Sequence, residues 1–559
     1  MGTVFYLERN GQRYAYEATS RRVPGKKNPV TDNVYLGKVD AETGKIIPKR
    51  SAKRPAEEYA KHYGAVAVLD AVQKELGLLD DLFETFAGLE GNIMGAAMSQ
   101  VIDPTSFDNI HYVVDGSVVK ERLKLRGSLS PAVMSDMSAE IGRSFCSMDS
   151  FFEARIKRST DPFVALDLTS VSSYSQMGGW TEWGYNRDGE NLKQTNIAMV
   201  TDSKGIPLAF AMLPGSVADA AVLDDTVDRL RGLGCCGRFV MDRGFESAAN
   251  INSLLERGLE FTVPSNVKAE TIKKLMSMAV ADMKASSAYK RHEKRSYKIA
   301  EYEAGIYENT DGGYEYVIRI PQNHKDSAEN NRIFEGSRKL RAFVVYDPKK
   351  AADDINRMMD AVSETEMRLE GTRPKDPERT YGKLPAFIRR YLDYSVDDDG
   401  VMHTERKQNA FTFADNRSGM FVMLASEGTS WEMMMSSYDV RDWVEKAFDV
   451  YKNDLDGNRS RTGDPDRARG RLFIKFIALI MRIHIQNVLR EHDKTVLSGK
   501  VKNDSVGGRT VEEMFRTLNT LMAVGNTGDW RLTAVTKNVR EIFRLFGLEE
   551  PKSGPIILS

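Results

Sequence analysis

Three acidic side chains in this sequence stand where a protein could hold a divalent metal ion. Asp167 ends the apolar run FVALD and Asp242 ends the similar run RFVMD, so each follows a stretch typical of a buried strand. Burying a carboxylate is costly unless a hydrogen bond, a basic partner or a metal compensates its charge. A turn cap would explain either aspartate alone about equally well. Two of them on separate strands of one sheet favour a shared cation site.

Glu445 supplies the third carboxylate, within the amphipathic segment YDVRDWVEKAFDVYK. We expect a helix there, whose apolar face packs on the sheet through Trp443, Val444, Ala447 and Phe448. Three carboxylates without histidine or cysteine are hard oxygen ligands, which suit Mg²⁺, with Mn²⁺ as a substitute. Two such ions about 3.5 to 4 Å apart can activate a water or a 3′-hydroxyl for phosphodiester displacement.

Three polar residues share a helical stripe with Glu445, namely Tyr438, Arg441 and Lys452. At about 100° per residue, their spacing keeps all four within a stripe about 60° wide. A surface ion pair between Arg441 and Glu445 is the simpler interpretation, but such a pair contributes only a few tenths of a kcal/mol. It would also leave Tyr438 and Lys452 unexplained.

The elements that would position these residues begin at Asp161, where the apolar residues change to a two-residue period. The predicted order is three strands, helix, strand, helix, strand, with a hairpin turn at Asp202 to Gly205. This order predicts an α/β fold with an RNase H-like mixed sheet. A β-rich insertion separates these elements from the Glu445 helix. Its predicted strands include YKIAEYEAGIYENTDGGYEYVIRIP, RAFVVYDP and NAFTFADNRSGMFVMLAS, and a long helix is predicted at DPKKAADDINRMMDAVSETEMRLEG.

These motifs together resemble one branch of the DDE transposases of bacterial insertion sequences. The branch carries Tyr, two residues, Arg, three residues, Glu, six residues, Lys, which matches Tyr438, Arg441, Glu445 and Lys452 without a gap. The acidic motifs resemble ALDLTSVSSYS and VMDRGF, and GIPLAFAMLPGSVADAAVL between them is also similar to the family. The resemblance runs from about Pro162 to Leu489. Each motif alone is weak, whereas their order and spacing are specific.

The resemblance implies that Asp167, Asp242 and Glu445 hold two metal ions for cleavage at transposon ends and strand transfer into target DNA. It implies that a protein dimer pairs the two ends, and that the backbone near the cut is bound by Tyr438, Arg441 and Lys452. A phenol, a guanidinium and an ammonium are good phosphate contacts in their own right. We expect three further arginines to extend this DNA contact, namely Arg243, Arg459 and Arg461. Trp443 is predicted to pack in the core, and Trp431 is a weaker candidate for stacking on an unpaired base.

The remaining segments carry no motif that identifies a DNA site. We expect a β-rich segment over 1–54, a helical DNA-binding module over 55–160 and a helical tail over 496–559. The RNase H-like core would occupy 161–265 and 431–495, with the insertion over 266–430. End recognition by the helical module is inferred by elimination, since a plain helical scaffold explains its pattern equally well.

Composition excludes several other classes of protein. The chain has 559 residues, 41% of them hydrophobic, and a net charge of −1, so it is not a generally basic DNA binder. Basic clusters nevertheless occur at PKRSAKR, RIKR, KRHEKRSYK and NRSRTGDPDRARGR. Such runs are most often solvated faces, although four of them make a polyanionic partner plausible. Three cysteines and seven scattered histidines give no zinc or disulfide pattern and suit a reducing cytosol.

No membrane association is expected. The N-terminus MGTVFYLERNGQRYAYEA lacks the basic head and apolar run of a secretory signal. The run LFIKFIALIMRIHI is interrupted by Lys475 and Arg482 and predicts a buried helix. A bacterial, nucleoid-associated cytoplasmic protein fits these features. Two alternatives stay open, namely a domesticated DNA-binding protein that mobilises nothing and a metal-dependent nuclease without strand transfer.

Overall fold

The fold is taken from a computed structural model of the chain. It describes every residue except 1, 23–27, 42, 49–58, 176–179, 218, 266–269, 323–326, 499–505, 527–528 and 559. The predicted basic cluster at Lys49 to Arg54 lies outside the described residues. The chain divides into two compact units, of which the first comprises Met1–Ala60, Val524–Arg531 and Pro555–Ile557 and the second comprises the rest.

The first unit is built on an antiparallel sheet. Its strands, in spatial order, are β1 (Thr3–Arg9), β2 (Gln12–Arg21), β3 (Val30–Val39) and β4 (Ile46–Pro48). Asn10 and Gly11 turn the chain between β1 and β2 with φ of 52° and 73°. Positive φ at both positions is what a two-residue hairpin turn requires, and asparagine and glycine adopt it at little cost. The β-rich start and its first turn are therefore as predicted.

The second unit begins with a helical segment, as the apolar periodicity predicts, after one short strand. Its elements are the second half of β5 (Tyr59–His62), α1 (Gly64–Glu75), α2 (Leu78–Thr85), α3 (Glu90–Ile102), α4 (Ile110–Asp115), α5 (Val119–Arg122), α6 (Pro131–Arg143) and α7 (Phe145–Arg158). Asp81 on α2 is buried and accepts hydrogen bonds from Arg155 and Arg158 on α7. These ion pairs hold α7 against α2. The end of α7 leads directly into the first strand of the sheet.

The central part of this unit has the predicted element order. It comprises β6 (Phe163–Ser173), β7 (Gln194–Thr201), β8 (Pro207–Pro214), α8 (Leu223–Gly232), β9 (Arg238–Met241), α9 (Ala248–Glu256) and β10 (Phe261–Pro264). The strands lie in the order β8-β7-β6-β9-β10. The first three are antiparallel, whereas β6, β9 and β10 are parallel. This mixed sheet is compatible with an RNase H-like core.

The segment that follows continues the same sheet. Its elements are α10 (Glu270–Asp282), β11 (Tyr289–His292), β12 (Arg295–Glu308), β13 (Tyr314–Ile318), α11 (Ser327–Gly336), β14 (Arg338–Tyr346), α12 (Pro348–Leu369), α13 (Pro377–Gly382), α14 (Ala386–Tyr391), β15 (Leu392–Val396), β16 (Met402–Arg406), α15 (Gln408–Asp415) and β17 (Met420–Ser426). Strand β17 pairs with β10 on one side and with β14 on the other. The predicted insertion therefore extends the core sheet instead of standing apart from it.

One predicted strand of the insertion is wrong in its first half. NAFTFAD belongs to α15, and the strand begins only at Met420. Ala410, Phe411 and Ala414 pack together against the cluster around Tyr391. Their spacing of one, three and four residues places them on one side of a helix, which a strand could not do.

The chain closes with α16 (Trp431–Asp449), a π-helical turn at Val450–Asp454, β18 (Arg459–Ser460), α17 (Pro465–Leu497), α18 (Val511–Leu518), β19 (Met522–Asn526), β20 (Asp529–Leu532), α19 (Lys537–Leu545) and β21 (Gly554–Ile556). Among the described helices, α17 alone is long and apolar enough to cross a membrane, yet 78% of its most apolar window is buried inside the protein. Lys475 donates hydrogen bonds to the carbonyls of Leu455 and Asp456, both 2.6 Å away. The predicted buried helix is thus confirmed, and the charge of Lys475 is compensated.

Helices α6 and α17 approach closely at two glycines. A Cβ atom on Gly470 would lie 1.9 Å from the carbonyl oxygen of Ser138, and one on Gly142 would lie 1.8 Å from that of Asp466. These oxygens belong to backbone and cannot turn away, so the helices would have to separate. This crossing packs α6 of the helical segment against α17, the helix that covers the sheet.

Replacing Gly470 by alanine should therefore destabilise the protein by about 1–3 kcal/mol, as overpacking does, although alanine normally favours a helix. Gly232 at the end of α8 is the matched control, because nothing lies within 4 Å of a Cβ there. We expect a lower thermal midpoint for Gly470→Ala and no loss for Gly232→Ala. Equal midpoints for the two variants would contradict the close crossing.

Candidate active site

Asp167 and Asp242 are neighbours because of the strand register. The last pair between β6 and β9 joins Leu166 to Met241, and each aspartate is the next residue along its strand direction. Strand β6 continues to Ser173, so the prediction that it ends at Asp167 is wrong. What ends there is its partner β9, so Asp167 lies just beyond the last residue pair of the two strands. Asp242 itself stands at the start of a short 3₁₀ turn, Arg243–Phe245.

The Asp167 carboxyl lies in an environment that disfavours its ionised form. Burial raises its pKa to about 7, and the nearby charge of Arg187 opposes this effect. The charges of Asp242 and Glu445 raise the pKa further. The Asp167 Oδ1 atom accepts one hydrogen bond, from the backbone N–H of Leu168 at 2.7 Å. The Asp167 carboxyl thus interacts electrostatically with both of the other predicted acids.

Glu445 reaches this place from α16. The helix begins after Ser430, whose hydroxyl accepts a hydrogen bond from the Met433 N–H, as an N-cap should. Its buried face includes Val440, Val444, Ala447 and Phe448. Glu445 is 51% exposed and lies beside that face. Desolvation raises the pKa of Glu445, while the Arg441 guanidinium lowers it.

Arg441 lies between two of the acids. Its guanidinium is 3.6 Å from the Asp242 Oδ1 and 3.8 Å from the Glu445 Oε1, and it also approaches Asp442 at 3.5 Å. The Arg441 side chain is only 22% exposed and stands over the Tyr438 ring. One cation therefore partly compensates a cluster of carboxylates.

The fit of this cluster to a metal ion is partial. Within the part of the chain that the structure describes, no group of three or more acidic, histidine or cysteine side chains is arranged so that it could hold a metal ion. The donors are nevertheless hard carboxylate oxygens, which Mg²⁺ prefers. Mg²⁺ usually takes one or two carboxylates and fills its other positions with water and substrate phosphate. The residues present fit an Mg²⁺ ion that is bound by one or two carboxylates and completed by water and phosphate. They do not fit an ion whose ligands all come from the protein.

Tyr438 and Trp431 are held mainly by packing, whereas Trp443 is not. The Tyr438 ring stacks on Phe421 with centroids 4.8 Å apart, and burial raises the pKa of its hydroxyl. Trp431 packs against the cluster formed by β12, β14 and β17. The core position predicted for Trp443 is wrong, since its ring is half-buried with Lys446 4.5 Å and Arg490 4.4 Å from its centroid.

Lys452 and Arg459 are both paired with acidic residues. Lys452 lies on the π-helical turn, and its Nζ donates to both carboxylate oxygens of Asp188 at 2.8 Å. Arg459 donates to Glu190 and stands over the ring of Tyr174. Both predicted DNA contacts are thus occupied by one loop of the chain.

Arg243 and Arg461 differ from these two cations. Both are exposed, and neither has an ion pair among the described residues. The rest of the basic run after Arg461 is partly neutralised from within, because Asp464 lies 3.9 Å from Arg467 and Asp466 lies 3.0 Å from Arg469. The surface formed by this run therefore carries less net positive charge than the number of its arginines suggests.

Three residues of the loop between β6 and β7 were not predicted, namely Arg187, Asp188 and Glu190. They belong to GYNRDGEN, where an Asp-Gly pair signals a turn but nothing marks a partner. The signal that could have found them is charge, since GYNRDGEN carries two acids, Asp188 and Glu190, only two residues apart.

The geometry can be compared with known proteins. The family model of the transposase DDE domain matches residues 158–481, which is more than half of the chain. The chain belongs to the DDE transposase family. A comparison with curated proteins found no match. The matched part of this transposase contains the three acids, Arg441, Lys452 and the paired loop, whereas residues 1–157 and 482–559 lie outside it.

Proposed function

We propose that this protein is an insertion-sequence transposase of the branch with the Tyr-(2)-Arg-(3)-Glu-(6)-Lys signature. It cleaves DNA at the terminal inverted repeats of its own element and joins the ends to target DNA. The observation that carries the proposal is the convergence of Asp167, Asp242 and Glu445 from two strands and one helix, with Arg441 between two of them. The matched family supports transposition in general.

The proposed roles of the residues follow from their chemistry. Asp167, Asp242 and Glu445 would hold Mg²⁺, or Mn²⁺ in its place, which supplies activation of the attacking oxygen and stabilisation of the leaving oxygen. Arg441 and Lys452 bind the phosphate oxygens of the end through charge-assisted hydrogen bonds. Tyr438, fixed by its contact with Phe421, supports Arg441 and presents a hydroxyl to the backbone.

The remaining parts of the proposal concern assembly. Arg243, Arg459 and Arg461 extend the contact along the DNA backbone, and the helical module before Asp161 recognises the end sequence. A homodimer pairs two ends in the synaptic complex. A cytoplasmic, nucleoid-associated location belongs to the same proposal.

The test is cleavage and joining by the purified full chain. A labelled linear fragment carrying the element's terminal repeat is incubated with a supercoiled plasmid in Mg²⁺. We expect a strand cut at the repeat boundary and labelled plasmid, both lost in EDTA and restored by Mn²⁺, with end binding retained in EDTA.

Two other outcomes would overturn the proposal. Cutting without labelled plasmid would assign a metal-dependent nuclease. Binding of the repeat without cutting in either metal would assign a DNA-binding protein that mobilises nothing.

A further inference from the structure

The loop from Asn186 to Glu190 occupies two of the cations that the proposed function assigns to DNA. Asp188 accepts two hydrogen bonds from Lys452, and Glu190 accepts one from Arg459. Lys452 is only 12% exposed, and Asp188 and Glu190 are 37% and 26% exposed. A phosphate can therefore form a direct ion pair with the Lys452 ammonium only after the Asp188 carboxylate moves away from it.

The loop is held in this position by strand β6. Asn186 donates to the Ser172 hydroxyl at 3.0 Å, and the Arg187 N–H donates to the Ser170 hydroxyl at 3.0 Å. The Asn186 side-chain oxygen also accepts hydrogen bonds from the backbone N–H groups of Asp188 and Glu190. Anchored at both the strand and its own turn, the loop presents its carboxylates to the cations in a fixed geometry.

Carboxylate and phosphate oxygens compete for the same donors. Both are anionic acceptors that form short, charge-assisted hydrogen bonds with ammonium and guanidinium groups. The hydrogen bond from Arg459 holds the pKa of Glu190 below its usual range. An ionised carboxylate in this position satisfies the cation much as a backbone phosphate would.

We propose that the Asn186–Glu190 loop is an autoinhibitory cover that mimics two phosphates and must be displaced when a transposon end binds. The inference rests on the proposed function of Lys452 and Arg459 as end contacts. The cover lowers the affinity for any DNA whose other contacts with the protein do not compensate for the loss of the two ion pairs. It thereby favours the element's own end over unrelated duplex, which lacks sequence-specific contacts.

The test is the affinity of Asp188→Asn/Glu190→Gln for two labelled duplexes of equal length, one with the terminal repeat and one unrelated, in EDTA. We expect about three- to tenfold tighter binding of the unrelated duplex, because the variant binds a phosphate without first breaking the two ion pairs. The gain for the terminal repeat should be similar or smaller. Unchanged or weaker binding of the unrelated duplex would overturn the inference.

Two controls separate the cover from a general change of charge. Asp398→Asn/Asp399→Asn removes the same two charges in an exposed turn of the insertion and should not tighten binding. In a Lys452→Met/Arg459→Met background, the loop substitutions should have no effect, because the cations they release are absent. A gain that persists in this background would also refute the cover.

Folding and the proposed function are checked separately. Thermal midpoints identify a variant that unfolds, and the single substitutions Asp188→Asn and Glu190→Gln then take its place, each with a smaller gain. If the wild-type chain binds and cuts its own end but the loop variants bind no tighter, the cover alone fails. If the wild-type chain binds neither duplex, the proposed function fails with it.

Discussion

Replacing Glu445 by glutamine is expected to abolish metal-dependent cleavage while end binding survives. Glutamine keeps the size of the side chain, and the position is half exposed, so the fold should not change. It removes a charged ligand from the cluster with Asp167 and Asp242. A bound ion contributes several kcal/mol to such a reaction, and about 4 kcal/mol corresponds to a loss of roughly a thousandfold.

The measurement is the single-turnover rate on the labelled end fragment in Mg²⁺, with the dissociation constant for the same fragment in EDTA. Glu432→Gln is the matched control, because Glu432 is exposed in the first turn of the same helix. The control should cut at the wild-type rate. A Glu445→Gln enzyme that cuts equally fast would remove Glu445 from the metal site.

The sequence predicts that buried strands lead to Asp167 and Asp242, but it does not predict how long one of these strands is. The apolar runs before Asp167 and Asp242 correctly indicate neighbouring buried strands. They do not reveal that β6 continues for six more residues, because Ser170 and Ser172 look like loop residues. Both serines are buried, and their hydroxyls bond to the loop that bears Asp188. These hydrogen-bond partners are separated by 14 and 17 residues, so no local pattern in the strand reveals them.

The stripe on the Glu445 helix shows a second limit. Its 100° step holds for Tyr438, Arg441 and Glu445, which lie in regular α-helix. Lys452 lies in the π-helical turn at Val450–Asp454, where the step is smaller. Nothing in the sequence FDVYKND marks this change. Lys452 thus lies beyond the regular α-helix that carries the other three residues, and its ammonium pairs with Asp188.

The pairing of the insertion with the core sheet is a third case. The sequence predicts several of its strands but not which strands they pair with, since the pairing of β17 with β10 joins residues about 160 positions apart. Pattern alone does not select among partners at such separations.

Arg441 has a role beyond the predicted DNA contact, and its replacement by glutamine should reveal it. Its guanidinium lies within 4 Å of Asp242 and Glu445, so its loss leaves the acids without their nearest cation. At this distance two unit charges interact by about 1 kcal/mol in water and by more where the pair is partly buried, as Arg441 is. We expect Arg441→Gln to lower the thermal midpoint in EDTA and to bind Mg²⁺ or Mn²⁺ about tenfold more tightly than wild type.

Thermal midpoints over a titration of each ion measure this effect without any cleavage. Arg243→Gln is the matched control, because Arg243 follows Asp242 but has no ion pair among the described residues and is exposed. It removes the same charge close to the same acids, so a purely long-range effect would change both variants alike. If Arg441 served the DNA backbone only, the two variants would respond to the ions as wild type does and would differ only in end binding. A larger rise in thermal midpoint confined to Arg441→Gln would mean that the guanidinium and the ion compensate the same carboxylates. End binding draws Arg441 toward phosphate and would therefore also favour binding of the metal.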